Sequence, residues 1–196
     1  MIIIERGRKE DAAVIASLVM EAMNHECCQW FAGPRHTLDD FHRLMKGLVE
    51  REDTQYSYLN TLAARTEDGS VAGICISYDG ALLRPLRRAF IDGALEAFGR
   101  DFSDMKDETQ PGELYVDSLC VASEFRGQGI ATRLLQATIE KGRGMNLPTG
   151  LLVDMGNPRA ERLYRRIGFR HVNDSEWGGH AMRHLVHPFA PLLPED

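Results

Sequence analysis

The chain has 196 residues, 43% of them hydrophobic, and carries 23 Lys and Arg against 29 Asp and Glu for a formal net charge of −6. That is one domain's length with enough apolar content for a full core. An acidic balance argues against nucleic acid and anionic membrane as partners, and leans toward a cationic ligand.

Met1-Ile2-Ile3-Ile4 is followed at once by charge at Glu5 and Arg6, too short an apolar run for a signal segment or a membrane span. Cys27, Cys28, Cys75 and Cys120 imply no disulfide framework, so the cytoplasm is the expected compartment. Ile2 to Arg6 reads as a first strand. Asp11 is placed to cap a helix through Val14, Ile15, Leu18, Val19, Ala22 and Met23. Asn24 to His36 reads as a loop, and Thr37 with Asp40 forms an imperfect capping box opening a second helix through Val49. Leu59 to Arg65 and Val71 to Tyr78 are strand-like runs joined at Asp68-Gly69, a strong hairpin signal.

Residues 79–112 hold a predicted helix from Pro85 to Phe98 and then the acidic loop Asp101 to Glu108. A connection of this length is expected to be a substrate-covering lid or a structural elaboration. In the strand that follows, alternation puts Glu113, Tyr115, Asp117 and Leu119 on one face. Phe125 to Ala131 then turns the chain into a helix through Leu134, Leu135, Thr138 and Ile139. A turn of small residues opening a helix leaves backbone N–H groups free at the positive end of the helix dipole, a seat for phosphate or pyrophosphate. Gly150 to Asp154 is a further strand, and Asn157-Pro158 starts a helix that stops at Gly168. Two final strands, Phe169 to Val172 and Ala181 to Val186, precede a surface tail over 188–196.

Arg126-x-x-Gly129-x-Ala131 is similar to the Arg/Gln-x-x-Gly-x-Gly/Ala signature of the GNAT-type, acetyl-CoA-dependent N-acetyltransferases. Asn157 to Phe169 resembles the same family's Asn-x-x-Ala-x-x-Leu-Tyr-x-x-x-Gly-Phe stretch, in the same order and with one strand between. The resemblance covers about residues 113–172. It implies an α/β (α+β) single domain over 1–196: a mixed, mostly antiparallel sheet with a splayed fourth strand, flanked by helices, with an inserted helix and loop before that strand.

It also implies acetyl-CoA as co-substrate. The backbone of Arg126, Gly127, Gln128, Gly129, Ile130 and Ala131 would cradle the pyrophosphate, and Leu119, Cys120 and Val121 would bond the pantetheine amides. Asn157 would contact the pantetheine, and the Tyr164 hydroxyl would protonate the departing thiolate. Glu113 and Asp117 are the candidate bases for deprotonating an acceptor amine. His25, Cys27 and Cys28 lack the gap that metal ligands need, so no metal is expected. His180, beside Gly178-Gly179, is a weak candidate to reach the site.

These features favour direct acetyl transfer to a small or cationic primary amine in a ternary complex. A non-catalytic acyl-CoA-binding sensor is the alternative. A dinucleotide-binding oxidoreductase fits poorly, because Gly127-x-Gly129 lacks the third small residue of that fingerprint. Aminoglycosides, polyamines, amino acids, lysine side chains and protein N-termini stay open as acceptors, and a homodimer is an open expectation.

Overall fold

The structure is a computed structural model that describes residues 1–188. Beyond Pro188, the expected surface tail lies outside the described residues. Strands β1 (Ile3–Arg6), β2 (Thr61–Arg65), β3 (Val71–Asp79), β4 (Leu114–Val121), β5 (Thr149–Asp154), β6 (Arg170–Trp177) and β7 (His180–His187) form one sheet in the order β1-β2-β3-β4-β5-β7-β6. Every neighbouring pair is antiparallel except β4 with β5. That parallel pair is short, joining Leu114–Val116 to Thr149–Leu151, and the two strands part beyond it.

The parting begins at a bulge. Ser118 lies opposite Ile76 and Val116 opposite Ser77, so Asp117 is an extra residue with no partner on β3. An unpaired residue of this kind bends its strand and reverses the alternation beyond it. Val116, Leu119 and Val121 therefore pack with one core, whereas Cys120 packs with the other. This corrects the expected shared face of Glu113, Tyr115, Asp117 and Leu119.

Among the described residues six α-helices cover the sheet: α1 (Ala12–Met23), α2 (His25–Ala32), α3 (Leu38–Val49), α4 (Leu83–Phe98), α5 (Ile130–Gly144) and α6 (Pro158–Ile167). On one face, Phe31, Phe41, Phe90, Phe98 and Phe102 gather with Ile15, Val19 and Ile74. The Phe31 ring meets Phe90 edge-on at 5.2 Å and Phe102 at 4.9 Å, an arrangement aromatic quadrupoles favour. On the other face, α5 buries Ile130, Leu134, Leu135 and Ile139 against Val116, Leu151 and Val153. Helix α4 thus belongs to the core, and the loop after it turns Phe102 and Glu108 inward.

Two local readings differ from expectation, and the expected capping box forms. The loop over Asn24 to His36 holds α2: Asn24 takes φ 67°, ends α1, and accepts a hydrogen bond from the Cys27 N–H at 2.8 Å, starting a new helix at once. A helix this short gives too few turns for its period to be read. Asp11 does not cap α1 with its side chain. It accepts from the Arg8 N–H and pairs with Arg65 at 2.6 Å. The Thr37–Asp40 box is complete, with Thr37 N–H donating to Asp40 at 2.8 Å and Asp40 N–H to Thr37 at 3.2 Å.

Phe90 is fully buried between α2, α3 and the sheet, whereas Val172 on β6 is 58% exposed. Phe90→Ala is expected to lower the unfolding free energy by about 3–5 kcal/mol, and Val172→Ala by under about 0.5 kcal/mol. Chemical denaturation measures both.

Candidate active site

Where β4 and β5 part, a cleft of about 610 Å³ opens between β4, α5, α6 and the end of α1. It is lined by Leu119, Cys120, Val121, Arg126, Gly127, Gly129, Ile130, Ala131, Asn157 and Tyr164. Among the residues expected at the cofactor site, Gln128 lies outside this lining, as do the two candidate bases Glu113 and Asp117.

The pyrophosphate turn is set by backbone conformation. Gly127 has φ 77° and Gly129 φ 75°, in the left-handed region that side chains disfavour. A Cβ built at either would meet nothing within 4 Å, so the turn faces open space in which a ligand can sit. Arg133 N–H, bonded to Gly129 O at 3.2 Å, makes the first hydrogen bond of α5. The first-turn N–H groups upstream of it point out of the helix end with its positive dipole. Arg126, Arg159 and Arg166 add positive charge to the lining, and an Arg126–Glu21 ion pair ties the turn to α1. This donor set suits an anionic phosphate ester.

Strand pairing decides which backbone groups of β4 are available. Ala122 N–H donates to Ala72 O at 3.0 Å. In an antiparallel ladder hydrogen-bonding direction alternates, so Cys120 also faces β3 while Leu119 and Val121 turn toward the parted edge. Val121 O accordingly accepts from Arg126 Nε at 3.0 Å on that side. Of the three expected pantetheine contacts, Leu119 and Val121 present their amides to the cleft. Cys120 lines it, and burial pushes its thiol up to about 11, so it stays protonated and weakly nucleophilic.

Helix α6 brings Asn157 and Tyr164 to the same wall. Asn157 caps the helix, accepting from Ala160 N–H at 3.1 Å, with Pro158 in the first turn and Gly168 at φ 115° closing it. The Tyr164 ring packs 5.9 Å from Phe169, and burial pushes its hydroxyl up to about 12. A phenol in that state holds its proton at neutral pH and can give it to a stronger base.

The two candidate bases have different surroundings. Glu113 is buried, with Oε1 accepting from Thr109 at 2.5 Å and Oε2 held 2.8 Å from His184 Nε2. Gly150 makes room for it, since a Cβ there would lie 2.0 Å from Oε2. Asp117, at the bulge, accepts from Tyr78 Oη at 2.9 Å, Gln55 Nε2 at 3.1 Å and Ser118 Oγ at 2.9 Å. Burial raises its carboxyl above the usual carboxylate range in spite of these donors. No spacing in the chain relates Glu21, Gln55, Tyr78 and Glu108 to this region, because each arrives from a different element. His180 pairs with Asp154 at 3.0 Å and does not line the cleft. Among the described residues no helix is long and apolar enough to cross a membrane, and no group of three His, Cys, Asp or Glu is placed to hold a metal ion.

The family model described as Acetyltransferase (GNAT) family matches residues 19–169. An acetyltransferase of Agrobacterium fabrum is 42% identical over 64 residues, which are 33% of this chain and 46% of that relative. The match thus spans under half of the relative's length. Among solved structures, a crystal structure of an acetyltransferase is similar at TM-score 0.78 and 27% identity, covering 96% of this chain and 100% of that one. An N-acetyltransferase from Staphylococcus aureus Mu50 superposes at TM-score 0.78 with 23% identity over 94% and 99% of the two chains, a likeness of fold.

Gly129→Ala would force an alanine to φ 75° and place a methyl group in the ligand space. It is expected to weaken CoA binding at least about tenfold while costing about 1–2 kcal/mol of stability. Calorimetry and thermal unfolding read the two effects separately.

Proposed function

The chain belongs to the GNAT acetyltransferase family, which uses acetyl-CoA, and from that premise we propose an N-acetyltransferase that passes acetyl directly to a small or cationic primary amine in a ternary complex. What supports this reading is a phosphate-binding turn and a protonated Tyr164 on the walls of one cleft, with the half-buried carboxylate of Asp117 outside its lining, at the bulge where the strands part. Asp117 is a better base than Glu113. Glu113 sits at the paired, closed end of β4, whereas Asp117 stands at the bulge where the strands part.

The turn from Arg126 to Ala131 would hold the pyrophosphate, and Leu119 and Val121 would align the pantetheine along β4. Asp117 takes one N–H proton from the acceptor ammonium, freeing the nitrogen lone pair. The nitrogen bonds the acetyl carbonyl carbon as the C–S bond breaks with its electrons on sulfur. Tyr164 gives its proton to that sulfur and recovers one from the nitrogen. The sum is ammonium and thioester to amide, thiol and one proton released to solvent. Cys120, kept as a thiol by burial, supports transfer without a covalent enzyme intermediate.

A panel of primary amines offered with acetyl-CoA is expected to give amine-dependent release of free CoA. Tyr164→Phe and Asp117→Asn should each lower kcat by about 10²–10⁴-fold. Glu113→Gln should lower thermal stability and leave the kcat of folded enzyme within about threefold, since it breaks a buried contact away from the chemistry. CoA binding with no release for any amine would favour the acyl-CoA sensor instead.

A further inference from the structure

We propose that Glu108, carried by the loop between α4 and β4, is a positioning residue for Asp117: the two carboxylates share a proton across the Tyr78 hydroxyl and take up the acceptor's proton as one unit. This rests on the reading of Asp117 as base.

The argument begins with one hydroxyl between two acids. Tyr78 Oη lies 2.9 Å from Asp117 Oδ2 and 3.4 Å from Glu108 Oε1. A phenol has one proton to donate, so both contacts are favourable only when one carboxyl carries a proton and donates it to the phenol oxygen. Donors converge on Asp117 from Gln55, Ser118 and Tyr78, which favours its ionised form. Glu108 has no comparable set and is therefore the partner that holds the proton.

Charge balance points the same way. Arg87 is the cation facing the pair, its side chain 4% exposed, but it stands 3.5 Å from Glu108 and 3.5 Å from Asp107. Its Nε and Nη2 have no hydrogen-bond partner, unlike the short bidentate geometry of a tight arginine–carboxylate pair. One loosely placed guanidinium does not offset a buried carboxylate and a half-buried one side by side. The other titratable groups facing the pair are Tyr56 and Tyr115, whose phenols burial keeps neutral, with Glu113, Cys27 and Cys75 behind them. None adds positive charge. Burial first, and then the charge of Asp117, push Glu108 up to about 7, against the pull of Arg87.

The shared proton gives the base its strength. Below about pH 7 the pair already holds it, and takes up a second proton less readily than the first. Once it is lost, the doubly charged pair accepts the ammonium proton readily, shares it again, and later releases it to solvent. In Glu108→Gln, Asp117 stands beside a neutral amide and becomes a weaker base.

The test compares pH profiles of kcat/KM for wild type and Glu108→Gln with one common amine, beside an infrared titration of the wild type. The wild-type acid limb is expected near pH 7. Glu108→Gln should move it at least about one pH unit toward acid and lower the plateau, a shift that mere loosening of the loop would not produce. The infrared spectrum should show a protonated-carboxyl band that disappears as pH rises through about 7 and is missing in the variant. A limb that stays in place in a folded variant, or the lack of that band in the wild type, overturns the inference. If Glu108→Gln does not fold, the wild-type band decides alone. If no amine is acetylated, the functional reading fails, and the band still decides whether the proton is shared.

Discussion

Two parallel strands hydrogen-bond only as far as both keep one direction, and the unpaired Asp117 ends that agreement on β4. The cleft lined by Leu119, Val121, Gly129 and Tyr164 opens at the gap this leaves. Before the bulge, Leu114–Val116 pair with β5 and close the sheet. After it, Leu119 and Val121 keep their β3 partners on one side and have no strand partner on the other, where Arg126 Nε donates to Val121 O. Such an edge inside a sheet costs unmet backbone hydrogen bonds, and a ligand with amides of its own is well suited to supply them. Asp117 is also the residue that the bulge re-aims, so one backbone irregularity both opens the cofactor cleft and places the carboxylate.

The two ends of the site differ in how they handle charge. The turn end would hold phosphate through backbone dipoles and the exposed arginines Arg126, paired with Glu21, and Arg159 at the helix termini, where solvation keeps the cost of charge low. Around Asp117 and Glu108, where we propose the acceptor's proton goes, desolvation governs: it raises both carboxyls and keeps Tyr56, Tyr78 and Tyr115 as neutral phenols. For a group whose folded pKa is raised, stability is fully present at low pH and is lost as pH rises through that value. The ionised pair thus costs stability above about pH 7.

Much of the scaffold was legible because it is written in local signals. Asp68-Gly69, Asn157-Pro158 and Gly168 each demand a particular backbone turn, and the apolar period of α5 runs long enough to be unambiguous. The turn at Gly127 and Gly129 was legible for the same reason. The bulge was not: β4 reads as a regular alternating strand, and the extra residue shows only against the register of β3. The acidic stretch was misleading in another way. It looks like a free patch, but Asp107 pairs with Arg84 and Arg87, and Glu108 turns into the core. The buried cluster of Gln55, Tyr78, Arg87, Glu108 and Asp117 draws on five separate segments, and no spacing in the sequence relates them.

The central claim is that the parted edge of β4 is where the cofactor's amides bind. Amide hydrogen exchange at Leu119 and Val121, followed by NMR with and without acetyl-CoA, tests it directly. Both amides should exchange much faster than Cys120 in the free protein and become protected when acetyl-CoA is bound. Protection already present without ligand, or none gained when calorimetry shows acetyl-CoA bound, would contradict the account.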